Sequence, residues 1–364
     1  MNSELKLLIV EDEVAARQMF KDTIENYNKK NDIKIIPEFV SNLEDALIAL
    51  SNPIFDCVQL DLKLRNYDEN GEGNEVLKVI KGKLRLPVIV FSGNTSDLDE
   101  DYKDDNALIK VYSRDEKQYA EVLQEFVDIY STGLTNLFKP DGLIEKTIND
   151  IFWKRISGNI RYILDERGSI NDIEKMLARR LFAYLQEYLD LDDNGGFDQY
   201  HPSEIYMIPP VKNKLFTGDI CYDQGENKYY IVLSPACDLA QGKAKQIVLG
   251  TIESIEMECL MQLKRNLDKE DKKEEAKVSI INLFRNNYSN KYHFLPNTNE
   301  FVGGFINFQK ITTVHIKDIE EQFTIVASVN SNFVKEITAR FSQYYSRQGQ
   351  PDINIDGIIE KVIS

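Results

Sequence analysis

The sequence is poor in the residues that staple or metallate a fold: 364 residues contain 4 cysteines, 3 histidines and 1 tryptophan. Cys57, Cys221, Cys237 and Cys259 are scattered, with no Cys-x-x-Cys pair, which argues against a disulfide framework or a zinc ribbon. No window approaches the ~18 uninterrupted apolar residues that a membrane helix requires. The opening MNSELKLLIVEDE turns acidic where a signal peptide would be apolar, so a cytoplasmic protein with no membrane partner is expected. Positive charge is also short: 44 Lys and Arg stand against 60 Asp and Glu, a net charge of −16. The deficit is concentrated in residues 1–130, which carry 16 basic and 27 acidic side chains. A segment this acidic repels nucleic acid and attracts cations. Residues 197–364, with 19 basic and 22 acidic side chains, are close to neutral, which leaves a local basic face open without requiring one.

The 42% of apolar residues is ordinary for a globular chain, and the length suits two or three domains. Residues 1–130 alternate between two hydrophobic periods. Leu5–Val10 is a short continuous apolar run, as in a strand buried on both faces of a parallel sheet. Residues 13–29 then place Val14, Met19 and Ile24 among charges at helical spacing. The pattern repeats through strands at Ile33–Val40, Phe55–Leu60, Leu86–Ser92 and Ala107–Val111. Helices are expected at Asn42–Leu50, Glu75–Lys81 and Glu116–Tyr130, with a glycine-containing loop at 66–74. Five such units predict an α/β, doubly wound, five-stranded parallel domain of the flavodoxin-like kind.

Residues 131–196 read as a helical linker, with amphipathic helices over Leu143–Leu164 and Asn171–Leu191 that could equally form a homodimer interface. From residue 197 to 364 strand patterns return at Leu215–Tyr222, Tyr229–Ser234, Gln246–Ile252, Phe301–Phe308, Val314–Ile316 and Phe323–Val329. One charged helix, Ile255–Ala276, interrupts them, and another, Asn332–Tyr345, follows them. Short strands with a helical insertion predict a β-rich, barrel-like domain.

Three acids fall at the C-terminal ends of strands: Glu11 and Asp12 after LLIV, and Asp61 after CVQL. In an open parallel sheet those ends line one crevice where the strand order reverses. Three carboxylates there repel one another unless a hard cation lies between them, and Mg2+ suits oxygen ligands. Ser92, ending VIVFS, and Lys110, ending ALIK, are expected to point into the same crevice. A carboxylate nucleophile, a metal, a hydroxyl and a lysine are the parts needed to receive a phosphoryl group.

The motifs LLIVEDE, NPIFDCVQLDLKL, GEGNEVLKVIKGKLRLPVIVFSG and ALIK, in that order, resemble the receiver domain of two-component response regulators. The resemblance implies that Glu11, Asp12, Asp61 and the backbone carbonyl of Lys63 hold Mg2+. It also implies that Asp61 is the phosphoacceptor, Ser92 the phosphate-sensing hydroxyl and Lys110 the phosphate partner. A histidine kinase or phosphotransfer protein is then the donor, and residues 197–364 the output. Three features depart from the pattern: Val111 rather than proline follows Lys110, the interval from Ser92 to Lys110 is short, and Ala107 stands where a switch aromatic is usual. Tyr112 is a substitute for that aromatic. Alternatives to a regulator acting through protein contacts are a phosphorylation-gated effector enzyme of a stress or phage-defence system, a nucleic-acid-binding output, and a pseudo-receiver that serves for docking.

In the C-terminal part, GDI followed by VLSPACD and LGTI weakly resembles the SH3-like barrels of MazF/PemK toxins, which are endoribonucleases. Cys237, before Asp238, is a candidate nucleophile or ligand with His201, His293 or His315, although a buried structural cysteine and loop or strand histidines account for the same residues. Phe301–Lys310 and Ala339–Asp352 interleave aromatics with Lys310, Arg340 and Arg347. That composition can clamp single-stranded nucleic acid and more commonly builds a core. Gly303 and Gly304 mark a bulge or tight bend.

Overall fold

The apolar runs of the N-terminal part form five parallel strands: β1 (Glu4–Val10), β2 (Lys34–Val40), β3 (Cys57–Leu60), β4 (Val88–Ser92) and β5 (Ile109–Ser113). This computed structural model describes residues 4–52, 54–64, 72–93, 95–103, 106–160, 169–192, 194–349 and 352–363. The sheet order is β2-β1-β3-β4-β5, so strand order reverses between β1 and β3. Side chains alternate between two cores, as strand geometry dictates. Leu8, Val10, Val58, Leu60, Val88 and Val90 face helices α2 (Leu43–Ser51) and α3 (Glu72–Lys83). Leu7, Ile9, Ile89 and Phe91 face α1 (Val14–Lys30) and α4 (Tyr119–Ser131). Each such fully buried aliphatic or aromatic side chain is worth about 1.5–3 kcal/mol relative to exposure. The buried face of α1 is Ala16, Phe20 and Ile24; Val14 and Met19, expected on it, are exposed.

Four helices flank this sheet among the described residues, one fewer than five repeating units imply. Between β4 and β5 the chain makes only a single 3-10 turn at Glu100–Tyr102. The acidic run there resists a helix because like charges crowd it and aspartate is a weak helix former. It is held from α3 instead: Asn74 Nδ2 donates to the Asp97 carbonyl at 2.8 Å, and Lys81 Nζ to that of Asp101 at 3.1 Å.

The chain divides into two compact units, residues 1–198 and 199–364. The first also contains α5 (Leu134–Leu137), α6 (Leu143–Ile151) and α7 (Ile170–Leu189). The start of this helical segment is fastened to the sheet by Lys139, whose Nζ lies 2.5 Å from the buried Asp56 carboxylate. The helix expected over Leu143–Leu164 passes from α6 into a π turn at Phe152–Ile156, and its last residues lie outside the described ones.

The second unit is one seven-stranded antiparallel sheet in the order β10-β11-β9-β8-β7-β12-β6. Its strands are β6 (Tyr206–Met207), β7 (Asp219–Asp223), β8 (Lys228–Val232), β9 (Gln246–Glu253), β10 (Tyr292–Leu295), β11 (Gly304–His315) and β12 (Phe323–Val329). The two edges are drawn together: the Tyr206 hydroxyl of β6 donates to the Pro296 carbonyl, just past β10, at 2.7 Å. The sheet closes on a core of Ile220, Ile231, Leu295, Phe301, Ile306 and Phe308, against which Phe333 and Phe341 of α12 (Ser331–Ser346) pack.

Two expected elements merge and one divides. The strands at 301–308 and 314–316 are a single β11, bent by a register shift between Asn307 and Ile311 that shortens the apparent apolar period. The helix expected over Ile255–Ala276 is instead α9 (Glu258–Leu267) and α10 (Lys273–Phe284), broken inside the mixed-charge run and packed on Phe305 through Leu260 and Leu283. Between β8 and β9 lies the five-residue α8 (Ala236–Ala240). Two further short helices, α11 (Ile316–Gln322) and α13 (Asp356–Ile363), complete the chain. No helix among the described residues is long and apolar enough to cross a membrane.

Candidate phosphoryl site

The strand order puts the C-terminal ends of β1 and β3 side by side, and with them the three acids. Glu11 N donates to Val40 O and Asp61 N to Val10 O, both at 2.9 Å, so each acid leaves its strand in ladder register. Glu11 is completely buried and Asp61 is 6% exposed, with Asp12 between buried and exposed. One carboxylate oxygen from each lies within 4.8 Å of the others, the one such cluster of acids, cysteines or histidines among the described residues. Burial, and then the neighbouring Asp61 charge, push the Glu11 carboxyl up to about 7, against the pull of Arg114. Three crowded carboxylates, with Glu11 among them pushed up by burial, are a donor set for a hard cation, so these residues fit Mg2+.

Behind Asp61 the start of α3 approaches as closely as a backbone can. A Cβ on Gly73 would lie 2.7 Å from the Leu62 Cα and 2.8 Å from the Asp61 carbonyl oxygen, so only glycine fits. Lys63 N lies 3.4 Å from Asp61 Oδ1, and its ammonium pairs with Asp97 at 3.3 Å.

Ser92 is buried at the end of β4, and its carbonyl accepts from Arg114 N at 3.1 Å. Lys110 is not part of this group. β5 runs three residues past it, to Ser113, and Lys110 pairs in register with Ile89 at the far end of β4. Its ammonium instead binds Glu125 Oε2 at 3.1 Å. The Tyr112 hydroxyl also donates to Glu125, at 2.9 Å, and Lys117 completes that cluster. Burial alone would raise Glu125, but the hydrogen bonds from Lys117, Lys110 and Tyr112 hold its carboxyl below the usual range.

The cation at the end of β5 is Arg114. Its Nη2 lies 2.6 Å from Glu11 Oε2 and 2.9 Å from Asp61 Oδ2, and its Nη1 lies 2.7 Å from Glu13 Oε2. Burial works against the guanidinium charge, but Glu11 and Asp61 more than offset it. Beside it Tyr119 stands edge-on to Phe20 and Phe91, at 4.7 and 5.1 Å between ring centroids. Neither Arg114 nor Glu13 was expected in the site. The signal lay in IKVYSRD, whose alternation continues past Lys110 to Ser113, so that Arg114 is the first cation beyond the strand.

In the second unit Cys237 is exposed on α8, its Sγ 3.6 Å from Asp238 Oδ1. The three histidines serve elsewhere. His201 accepts from Ser203 N and His315 from Lys317 N, each at a helix start, while His293 is buried in β10.

The sequence matches no protein-family model and no curated protein. Solved structures do match. A CheY-like response regulator receiver domain from Methylobacillus flagellatus is 25% identical over 34% of this chain and 99% of its own, with a TM-score of 0.27. A response regulator receiver protein from Sinorhizobium medicae WSM419 is 16% identical over 35% of this chain and 95% of its own, with a TM-score of 0.29. A MazE–MazF structure from Deinococcus radiodurans is 11% identical over 38% of this chain and 100% of its own, with a TM-score of 0.24, and lends the C-terminal unit no activity. The N-terminal part is thus similar to CheY-like receiver domains, a likeness of fold that agrees with the strand order β2-β1-β3-β4-β5.

Proposed function

We propose that this chain is a response regulator whose N-terminal unit takes a phosphoryl group on Asp61 and whose C-terminal unit is the output. The observation that carries this reading is the convergence of Glu11, Asp12 and Asp61 at the switch point of the sheet. Glu11, Asp12, Asp61 and the Lys63 carbonyl would hold Mg2+, which supplies charge neutralisation for the phosphoryl oxygens. An Asp61 carboxylate oxygen attacks the phosphorus of the donor, a phosphohistidine of a kinase or phosphotransfer protein. The P–O bond forms as the P–N bond breaks, and the imidazole leaves with the electron pair and takes up a proton. Burial of Asp61 excludes water, and the Ser92 hydroxyl and the Arg114 guanidinium supply donors at the rim for the transferred oxygens. Arg114 takes the role that the motif reading gave to Lys110, because it is the cation beside Asp61.

Intact-mass spectrometry after incubation with Mg2+ and acetyl phosphate checks this. The wild type should gain one phosphoryl group, whereas Asp61→Asn, and the wild type in EDTA, should gain none. Equal uptake by Asp61→Asn would overturn the assignment.

A further inference from the structure

Arg114 occupies, through one nitrogen, two of the three carboxylates that the proposed site offers to a divalent cation. Nη2 contacts Glu11 at 2.6 Å and Asp61 at 2.9 Å. The other fork nitrogen contacts Glu13, whose side chain is half exposed at the mouth of the site, at 2.7 Å. The arginine is fastened from behind, since its backbone N–H is bound to the Ser92 carbonyl at the end of β4. It is therefore a tethered internal cation with two buried contacts and one outer contact. A guanidinium fork can bridge three carboxylates at once, which a compact ammonium cannot do with the same geometry.

We propose that Arg114 is a latch that competes with the divalent cation for Glu11 and Asp61, with Glu13 as the berth to which the guanidinium retreats. The proposal rests on the reading of this cluster as a cation and phosphoryl site. Cation binding and release of Arg114 are then one exchange. The apparent cation affinity is lowered by the fraction of molecules in which the arginine still holds both carboxylates. Arg114 acts here as a positioning residue: it decides whether Asp61 is paired or presented. After transfer the same guanidinium, still tethered beside Ser92, faces the new phosphoryl oxygens.

The test is Mn2+ binding to the full-length protein, followed by electron paramagnetic resonance at fixed ionic strength, with Mg2+ as competitor. Arg114→Gln should bind Mn2+ at least about tenfold more tightly than the wild type. Arg114→Lys separates a latch from a simple field effect, because it keeps the charge and loses the fork. The latch predicts a gain of at least about threefold for this variant. Thermal unfolding of both variants verifies the fold. Unchanged affinity in Arg114→Lys, with binding abolished in Asp61→Asn, overturns the latch and leaves the site reading standing. No Mn2+ binding in any form overturns both.

Discussion

Gly73→Ala is expected to lower phosphoryl uptake at Asp61 by an order of magnitude or more, although residue 73 carries no chemistry. Its added Cβ would sit 2.7 Å from the Leu62 Cα and 2.8 Å from the Asp61 carbonyl oxygen, and both neighbours are backbone. No side chain can swing aside to relieve the contact. Either α3 moves outward or the segment after β3 moves, and a shift of about 1 Å at a reacting group commonly costs on the order of a hundredfold in rate. The same overpacking should cost the N-terminal unit about 1–3 kcal/mol. The N–H of Gly73 also meets the Leu62 carbonyl at 3.3 Å, a contact that the shift would lengthen. The measurement is the rate of mass gain with acetyl phosphate, alongside hydrogen exchange of the β1 and β3 amides to show that the sheet persists. Wild-type uptake by Gly73→Ala would mean that the Asp61 segment is not fixed by α3.

His293 should make the C-terminal unit acid-sensitive. The ring is 6% exposed, and its Nδ1 has no hydrogen-bond partner among the described residues. Burial pulls its pKa down from 6.5 to about 4, with the Glu336 charge opposing and the Arg340 charge adding to the shift. Between those values the unfolded chain binds a proton that the folded chain refuses, so acid favours unfolding. The stability is fully present above pH 6.5 and is lost progressively as pH falls toward 4, by roughly 3 kcal/mol in all. Urea unfolding of wild type and His293→Asn between pH 7 and 4.5 checks this by difference, since the carboxylates common to both cancel. The wild type should lose the larger increment on acidification. Parallel pH profiles would show that His293 titrates normally in the folded state.

The parts of this protein that could be read in advance share a physical reason. From Leu7 in β1, and throughout β3 and β4, the strands are buried on both faces, so their residues are mainly apolar, and the acids that follow β1 and β3 stand out against that background. The edge strand β5 has no such constraint. Its residues are all half-buried, and Lys110, Tyr112 and Ser113 dilute the signal, so the pattern places its end at Val111, two residues short of Ser113. The cation that lies beside Asp61 is Arg114, four residues beyond Lys110. Counted to Arg114 the interval from Ser92 is four residues longer, but Asp115 rather than proline follows Arg114 as well. Glu13 was hidden for a related reason: its role depends on Arg114, 101 residues away.

In α1 the charges surrounding Val14 and Met19 hid the fact that Ala16 and Phe20 set the buried face. In the C-terminal unit the strands between β7 and β9 and the strand β12 were legible from alternation, but β10 was not. His293 in its centre looks polar in sequence and is buried in the fold. The bend of β11 lies at Asn307, a buried amide whose Nδ2 donates to Glu253 at 2.7 Å, a pairing of residues 54 apart that no local pattern signals.

The most direct measurement of the central claim locates the acyl phosphate chemically. The protein would be incubated with Mg2+ and acetyl phosphate, or with a phosphorylated histidine donor. Sodium borohydride then reduces the phosphorylated carboxyl to an alcohol, and peptides are sequenced by tandem mass spectrometry. The account predicts homoserine at position 61 and unmodified Glu11 and Asp12. Reduction at another acid, or no reduction with either donor, would contradict it.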